Sequence, residues 1–321
     1  MFEKQEKIKP QRIGFLLLPY FSMIAFTSCI EPLRVANRMS REDLYSWKTL
    51  SKNGDVVVAS NGLKITPDNS LSDPVAIDIL FVCAGVKTRK YADTEISKQL
   101  RSYARAGVPL GSVCTGSIAL AKAGLLDDYR FTLHWENIEG FMENYPHLNV
   151  TASLFEIDRN RYTCSGGTAP LDMMIYAISQ THGKDLATKV SEQMLYSTQR
   201  KQHDLQRMPI QHRTGIKNPK LLAVIAFMET NTETLHNLTN VAQGVNLSLR
   251  QLERLFRTHL DITPSRYYLE LRLQRARRLL RQTTMPVLHI AVASGFKSAA
   301  HFTQAYRKYL GYPPSAERIK N

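Results

Sequence analysis

Four cysteines in 321 residues are too few and too scattered to staple this chain together. Cys29, Cys83, Cys114 and Cys164 contain no C-x2-C pair, which argues against a zinc site and a disulfide framework and for reduced thiols in a cytoplasmic protein. No metal or other cofactor is implied, and no stretch is of low complexity. A membrane-spanning run is also missing. Lys4, Lys7, Lys9 and Arg12 precede an uncharged stretch from Ile13 to Ile30, but Pro19 interrupts it, Tyr20, Ser22, Thr27 and Ser28 dilute it, and no small-x-small cleavage site follows. Neither export nor membrane anchoring is expected. Acidic residues are scarce as well, 28 against 42 lysines and arginines, for a net charge of +14.

That excess is unevenly placed. From Lys217 to Asn321 there are 16 basic and 6 acidic residues, a net of +10, whereas residues 1–216 hold the remaining 26 and 22, a net of +4. A basic last third fits a polyanionic partner whose phosphates are neutralised by Lys and Arg. A membrane surface is the competing polyanion, but no long helix with a broad apolar face accompanies the charge. The length suffices for two domains, each with its own core.

The basic third contains an internal repeat. Ala242 and Leu247 recur as Ala291 and Phe296 at an offset of 49, and Leu252, Phe256 and Pro264 recur as Phe302, Tyr306 and Pro314 at an offset of 50. Each copy pairs two short helices around a tight turn, at Asn246 in the first and Gly295 in the second, and Ser248 or Ser298 is placed to cap the second helix. Leu252, Leu255 and Phe256, or Phe302, Ala305 and Tyr306, share one face at i, i+3, i+4 spacing, leaving the opposite face for a partner. Arg250, Gln251 and Arg254 occupy that free face in the first copy; arginine pairs with guanine and glutamine with adenine in the major groove. In the second copy Ala299, Ala300 and Thr303 are short, so His301 and Gln304 are the candidate readers, with Lys297, Ser298, Arg307 and Lys308 toward phosphates. The plainer alternative, two amphipathic helix pairs with solvated arginines, does not account for the tandem arrangement.

Between the copies, Thr263 and Pro264 start a helix running to about Gln282. Its Leu269, Leu273, Ala276 and Leu280 form an apolar stripe, and Arg272, Arg275, Arg278 and Arg281 are expected to stay in water. Such a brace can set two recognition helices about 34 Å apart, into successive major grooves. Leu238 to Arg318 resembles the DNA-binding domain of AraC/XylS-type transcription regulators, the second copy carrying the family's signature in Ile290-Ala291, Gly295-Phe296, Phe302, Tyr306, Gly311 and Pro314. The expected partition is 219–321 for this domain, with helix-turn-helix units at about 238–259 and 287–309 and a linker helix at about 265–282, preceded by a polar linker at 200–218.

Upstream, strands and helices alternate, which predicts a mostly parallel sheet with ligand sites at the strand carboxyl ends. Strands are expected at Ile13–Leu18, Trp47–Ser51, Val56–Ser60, Ile77–Cys83 and Val108–Val113, with Asn53-Gly54 and Asn61-Gly62 as hairpin-type turns. Helices are expected at Ile24–Arg38, Thr94–Ala106, Ala169–Thr181 and from Lys184 to about Thr198. Ser112-Val113-Cys114-Thr115-Gly116 has the form of a nucleophile elbow, where helix N-terminal amides could favour a thiolate. With Phe15 to Pro19, Glu31 to Asn37, Ala121 to Leu126, Thr132 to Trp135 and Ser165 to Ala169, this region resembles the PfpI-like, class I glutamine amidotransferase-like fold, in the branch fused to AraC-type domains.

The fold class is thus α/β, a mostly parallel-sheet sandwich (flavodoxin-like, PfpI-like) over 1–199, plus an all-α domain with two helix-turn-helix units. Catalytic relatives place a histidine directly after the cysteine or recruit another histidine and an acid. Here Thr115 follows Cys114, Ala25 stands where hydrolytic relatives carry a glutamate, and His134 is the lone candidate base. The expectation is a pocket that senses rather than catalyses, lined by Glu31, Gly85, Cys114, Thr115, His134, Trp135, Gly167 and Thr168. Trp135 could be a core aromatic or a cation-π wall, with Glu31 as counter-charge. The resemblance implies a small-molecule effector, an amino acid or a quaternary amine such as carnitine or betaine. It also implies control of the corresponding catabolic genes by a homodimeric activator that binds promoter DNA and works with RNA polymerase. The alternatives are a cysteine-dependent hydrolase or amidase, and a protein that coats DNA without regard to sequence.

Overall fold

The computed structural model describes residues 9–319; Lys4, Lys7 and the outermost ends of both expected domains lie outside them. The chain divides after Gln206 into two compact units, with the short piece Glu139–Asn144 grouped with the second. Among the described residues, no helix is long and apolar enough to cross a membrane.

The first unit opens with β1 (Gln11–Leu17), α1 (Met23–Ser40), β2 (Tyr45–Ser51), β3 (Val57–Val58), β4 (Lys64–Ile65), β5 (Asn69–Ser70) and β6 (Ile79–Cys83). It continues through α2 (Thr88–Tyr91), α3 (Thr94–Arg105), β7 (Leu110–Val113), α4 (Gly116–Lys122), β8 (Phe131–Thr132) and α5 (Trp135–Met142). β9 (Val150–Thr151), β10 (Phe155–Asp158), β11 (Arg161–Cys164), α6 (Ala169–His182) and α7 (Lys184–Gln193) complete it. Seven strands form one sheet in the order β10-β11-β7-β6-β1-β2-β5. Every neighbouring pair is parallel except β10 and β11.

The uninterrupted apolar runs explain the centre of this sheet, because a strand covered on both faces has no position for a polar side chain. Ile13, Phe15 and Leu17 of β1 and Ile79, Phe81 and Cys83 of β6 share a core with α1, α6 and α7. The alternate residues Leu16, Leu80 and Val82 point to the opposite face and are equally buried. Asn61-Gly62 does close a hairpin, between β3 and β4. Asn53-Gly54 does not, since both partners of β2 are parallel strands and the turn only redirects the chain. Sequence reading also passed over β10 and β11, where buried Glu156 and Arg161 disguise the strand pattern. Arg161 survives burial because Nε donates to the Leu125 carbonyl at 2.8 Å and its guanidinium stacks 4.4 Å over Tyr129.

The second unit is helical: α8 (Ile210–Thr214), α9 (Pro219–Thr230), α10 (Leu238–Gln243), α11 (Leu249–Leu260), α12 (Pro264–Gln282), α13 (Val287–Ala293), α14 (Ala299–Leu310) and α15 (Pro314–Ile319). It contains two separate cores. Val224, Ile225, Met228, Ala242, Leu252, Phe256 and Tyr268 form one, and Leu273, Ala276, Leu279, Leu280, Ile290, Ala291, Phe302 and Tyr306 the other. α12 supplies residues to both, and Thr263 caps its start by accepting from Arg266 N at 3.3 Å. Two arginines expected in water on this helix are buried instead, Arg272 at 4% and Arg275 at 6% exposure. Backbone carbonyls, a hydroxyl and a carboxylate receive their guanidinium groups, which offsets the lost hydration.

The expected linker 200–218 is not a free tether. Arg200 to Gln206 is bonded to the first unit, as described below, and Ile210–Thr214 is helical in the second, where Arg213 forms three hydrogen bonds to Glu229.

Candidate nucleic-acid interface and the cysteine pocket

Both repeats fold as helix, turn and helix, α10 with α11 and α13 with α14. The turn residues Asn246 (φ 55°) and Gly295 (φ 74°) are left-handed. Ser248 Oγ accepts from Gln251 N at 3.2 Å, while Gln251 Oε1 accepts from Ser248 N at 2.8 Å, a reciprocal capping box. Gln251 therefore spends its carbonyl on the helix start and keeps only its amide nitrogen for a base. Ser298 caps α14 in turn, accepting from His301 N at 3.3 Å.

Burial of Leu252 and Phe256 turns Arg250, Arg254 and Arg257 outward on α11. Burial of Phe302 and Tyr306 does the same for His301, Gln304, Arg307 and Lys308 on α14. The basic side chains of the unit differ in whether a carboxylate meets them. Arg213, Arg266, Arg275, Arg277 and Arg281 are ion-paired to carboxylates, whereas among the described residues Arg250, Arg254, Arg257, Lys297, Arg307 and Lys308 form no ion pair. Arg257 was not singled out from the sequence, although it sits one turn after Arg254. On α14, Ala299, Ala300 and Thr303 floor a shallow open hollow beside Gln304, Arg307 and Lys308. His301 also rests edge-on against Phe296, with centroids 5.7 Å apart.

In the first unit, Gly85, Cys114 and Gly166 follow the carboxyl ends of β6, β7 and β11. Cys114 adopts φ 60°, the strained turn of an elbow, and is 9% exposed. Gly166 lies against it at φ 102°, and a Cβ there would stand 2.8 Å from Cys114 Cβ, so only glycine fits. His134 N donates to the Cys114 carbonyl at 3.2 Å, and the half-exposed Trp135 ring lies 5.8 Å from the imidazole. Gly167 (φ 59°) and Thr168 follow Gly166 and lead into α6.

Two expected pocket residues are spent elsewhere. Thr115 is 4% exposed; its hydroxyl donates to the Gly85 carbonyl at 2.6 Å and lies 2.6 Å from Thr88 Oγ1, binding the two loops together. Glu31 is bonded to Arg34 at 2.7 Å and lies about 9 Å up the helix axis from Ala25. The acid nearest His134 is Glu136, 3.9 Å from Nδ1, which sequence reading missed although it stands two residues away.

The thiol is not activated. Burial pushes its pKa up to about 11, against weaker hydrogen bonding from Thr115 that favours the thiolate, so the helix amides do not win. Burial lowers the pKa of His134, so its imidazole is neutral at pH 7, although nearby Glu136 opposes the shift. Iodoacetamide should therefore label Cys114 on the order of a hundredfold more slowly at pH 7.5 than it labels free cysteine. Labelling as fast as free cysteine, followed by mass spectrometry of the modified peptide, would reinstate a reactive thiolate.

Residues read as linker sequence are bonded into the first unit. Arg200 donates to Thr168 Oγ1 at 2.8 Å and, through Nε and NH2, to Asp172 at 3.0 and 2.7 Å. Asp172, fully buried, also accepts from Arg200 N at 2.8 Å and Tyr196 OH at 2.6 Å. Gln206 Nε2 reaches Thr132 Oγ1, the Leu133 carbonyl and the Ser153 carbonyl at 2.9–3.0 Å. A polar composition signalled a tether, but a buried carboxylate needed those same polar partners.

Residues 241–319 match the family described as a helix-turn-helix domain, and residues 11–180 match the DJ-1/PfpI family. Over 309 residues the chain is 48% identical to the HTH-type transcriptional regulator GbdR of Pseudomonas aeruginosa, covering 96% of this chain and 84% of that one. The chain belongs to the AraC-type transcription regulators that carry a DJ-1/PfpI domain. The crystal structure of an AraC family transcriptional regulator from Pseudomonas putida overlays with a TM-score of 0.53 at 31% identity. It covers 58% of the regulator and all of that chain. An isonitrile hydratase of Pseudomonas putida is 29% identical over 189 residues, 58% of the regulator and 78% of the enzyme. The likeness to GbdR, over 96% of the regulator, runs through both units.

Proposed function

We propose that this DNA-binding regulator senses a small cationic or zwitterionic metabolite in the first unit, an amino acid or a quaternary amine, and adjusts its grip on promoter DNA accordingly. On this reading the sensing unit extends to Gln206, and the DNA-binding unit follows it. The observation that carries the proposal is the set of cations without ion-pair partners on the outer faces of α11 and α14, in a chain whose DJ-1/PfpI unit holds its elbow cysteine as a neutral thiol. Cations that could have been paired within the fold are instead left for a polyanion, and the enzyme-like elbow is left without a nucleophile.

The pocket rim supports the metabolite class. Trp135 offers an indole face, neutral His134 lies beside it and Glu136 supplies negative charge, an arrangement suited to an ammonium group. Glu136 takes the counter-charge role first assigned to Glu31. With the full chain, a methylated amine or amino acid at a hundred times its dissociation constant should add about 2.7 kcal/mol of stability, read as a rise in melting temperature. Trp135→Ala should abolish that rise. A library of both classes that leaves the melting curve of the native chain unmoved excludes this effector class.

A further inference from the structure

The two helix-turn-helix units are joined by more than a continuous helix. Their apolar cores are separate, so hydrophobic contact does not fix one unit against the other. It is also non-directional and tolerates small rotations. What lies between the cores is a polar seam. Arg275 NH1 donates to Thr232 Oγ1 at 3.0 Å and NH2 to Glu233 at 2.7 Å, both residues in the connection between α9 and α10. One turn earlier on α12, Arg272 Nε donates to the Ser294 carbonyl at 2.9 Å and NH2 donates to Gly295 O, at the turn of the second unit. The Arg272 guanidinium also lies 4.2 Å over the Phe296 ring.

The two sides of the seam also meet directly. A Cβ on Gly295 would stand 2.8 Å from the Glu233 carbonyl and 3.1 Å from the Thr232 carbonyl. This explains why the second turn carries glycine where the first tolerates Asn246. Tyr268 OH completes the seam by donating to the carbonyls of Asn231 and Thr234.

The geometry points to Arg272 and Arg275 as positioning residues that set the spacing at which the two recognition helices meet DNA. The inference rests on the regulator reading above. Buried guanidinium groups are an expensive way to gain stability, since well-packed apolar side chains do as well or better. Here Arg275 Nε and Ser294 Oγ are buried without a protein partner, a further cost. The gain is directional: each arginine makes two bonds of defined angle, one set to each helix pair, and so fixes their relative rotation. Spacing between half-sites is then read by the protein's rigidity rather than by any base contact.

The test uses the full chain and a duplex recovered from random-sequence DNA by selection, with the two protected segments located by footprinting. That duplex is remade with one base pair inserted or deleted between the segments. The native chain should lose tenfold or more in affinity for the respaced duplexes. Arg275→Met and, as a variant on the exposed side of the seam, Glu233→Ala should reduce that ratio below threefold. A folded variant that weakens on all duplexes alike and keeps the tenfold ratio overturns the proposal, because a purely structural role predicts that result. A native chain indifferent to spacing overturns it too. A selection that enriches no sequence at all fails the regulator reading, which separates the two failures.

Discussion

Glu317→Ala should melt the second helix-turn-helix unit at temperatures where the native chain is intact. The Glu317 carboxylate is fully buried and is the hub of the unit's last contact, α15 against α12 and α14. It accepts from Tyr306 OH at 2.7 Å, Tyr312 OH at 2.6 Å, Arg277 Nε at 3.2 Å and Arg281 Nε at 2.5 Å. Alanine leaves the buried Tyr306 hydroxyl without this acceptor and two guanidinium groups without their anion. The cost of breaking such a site from one side is about 3–5 kcal/mol. For a domain near a hundred residues that lowers the melting midpoint by about 15–30 °C. DNA binding should be lost over the same temperature range, since Tyr306 also packs the inner face of α14.

The same site gives a pH dependence with a definite sign. Although burial by itself opposes ionisation, the two tyrosine hydroxyls and two arginines hold Glu317 at a pKa of about 2, below its usual 4.5. A carboxylate depressed in the folded state stabilises fully above its unfolded value. That contribution fades as pH falls from about 4.5 toward 2. Glu317→Gln should flatten this part of the stability curve, measured by chemical denaturation between pH 2.5 and 6. An unchanged acid limb would show that the site's charge is not what holds α15.

Asp172→Ala carries the second large effect, in the first unit. Four hydrogen bonds from Tyr196 and Arg200 converge on this buried carboxylate, and they hold the start of the segment that ends with Gln206. Their loss should cost about 2–4 kcal/mol, less than at Glu317 because one guanidinium rather than two loses its carboxylate and the hydroxyl left behind, on Tyr196, is only half-buried whereas that of Tyr306 is fully buried. In a unit of this size that is a fall of roughly 5–15 °C in melting midpoint. Local opening should be the clearer readout. Limited trypsin cleavage after Arg200 or Lys201 should rise more than tenfold, since the open population follows the local free energy. Cleavage no faster than in the native chain would mean that Gln202 and Gln206 suffice to hold the segment.

These two carboxylates show what sequence reading could and could not reach. Apolar runs such as Phe81 to Cys83 and the recurrence of Ala242, Leu252 and Phe256 at Ala291, Phe302 and Tyr306 were legible, because burial selects for side chains that have no other use for their position. Capping by Ser248, Thr263 and Ser298 was legible for the same local reason. Arg272, Arg275, Glu156, Asp172 and Glu317 were not, since a charged residue reads as solvated until the fold brings partners from other elements of the chain. The placement of the cysteine elbow was legible. Cys114, His134 and Trp135 were found where a strand end places them, but Thr115 is spent on Gly85 and Glu31 on Arg34. Whether a hydroxyl or carboxylate faces a cavity or a neighbour is decided by long-range packing, which spacing in the chain does not encode.

The most direct measurement is a competition between duplexes enriched from random DNA and scrambled duplexes of equal length, for the native chain and for Arg254→Ala at physiological salt. The native protein should prefer the enriched duplex by about a thousandfold or more. Arg254→Ala should lose about 1–3 kcal/mol of discrimination at one base pair and little elsewhere. A native chain that treats the two duplexes alike, or an Arg254→Ala protein with unaltered preference at every position, would contradict the assignment of α11 as the reading helix.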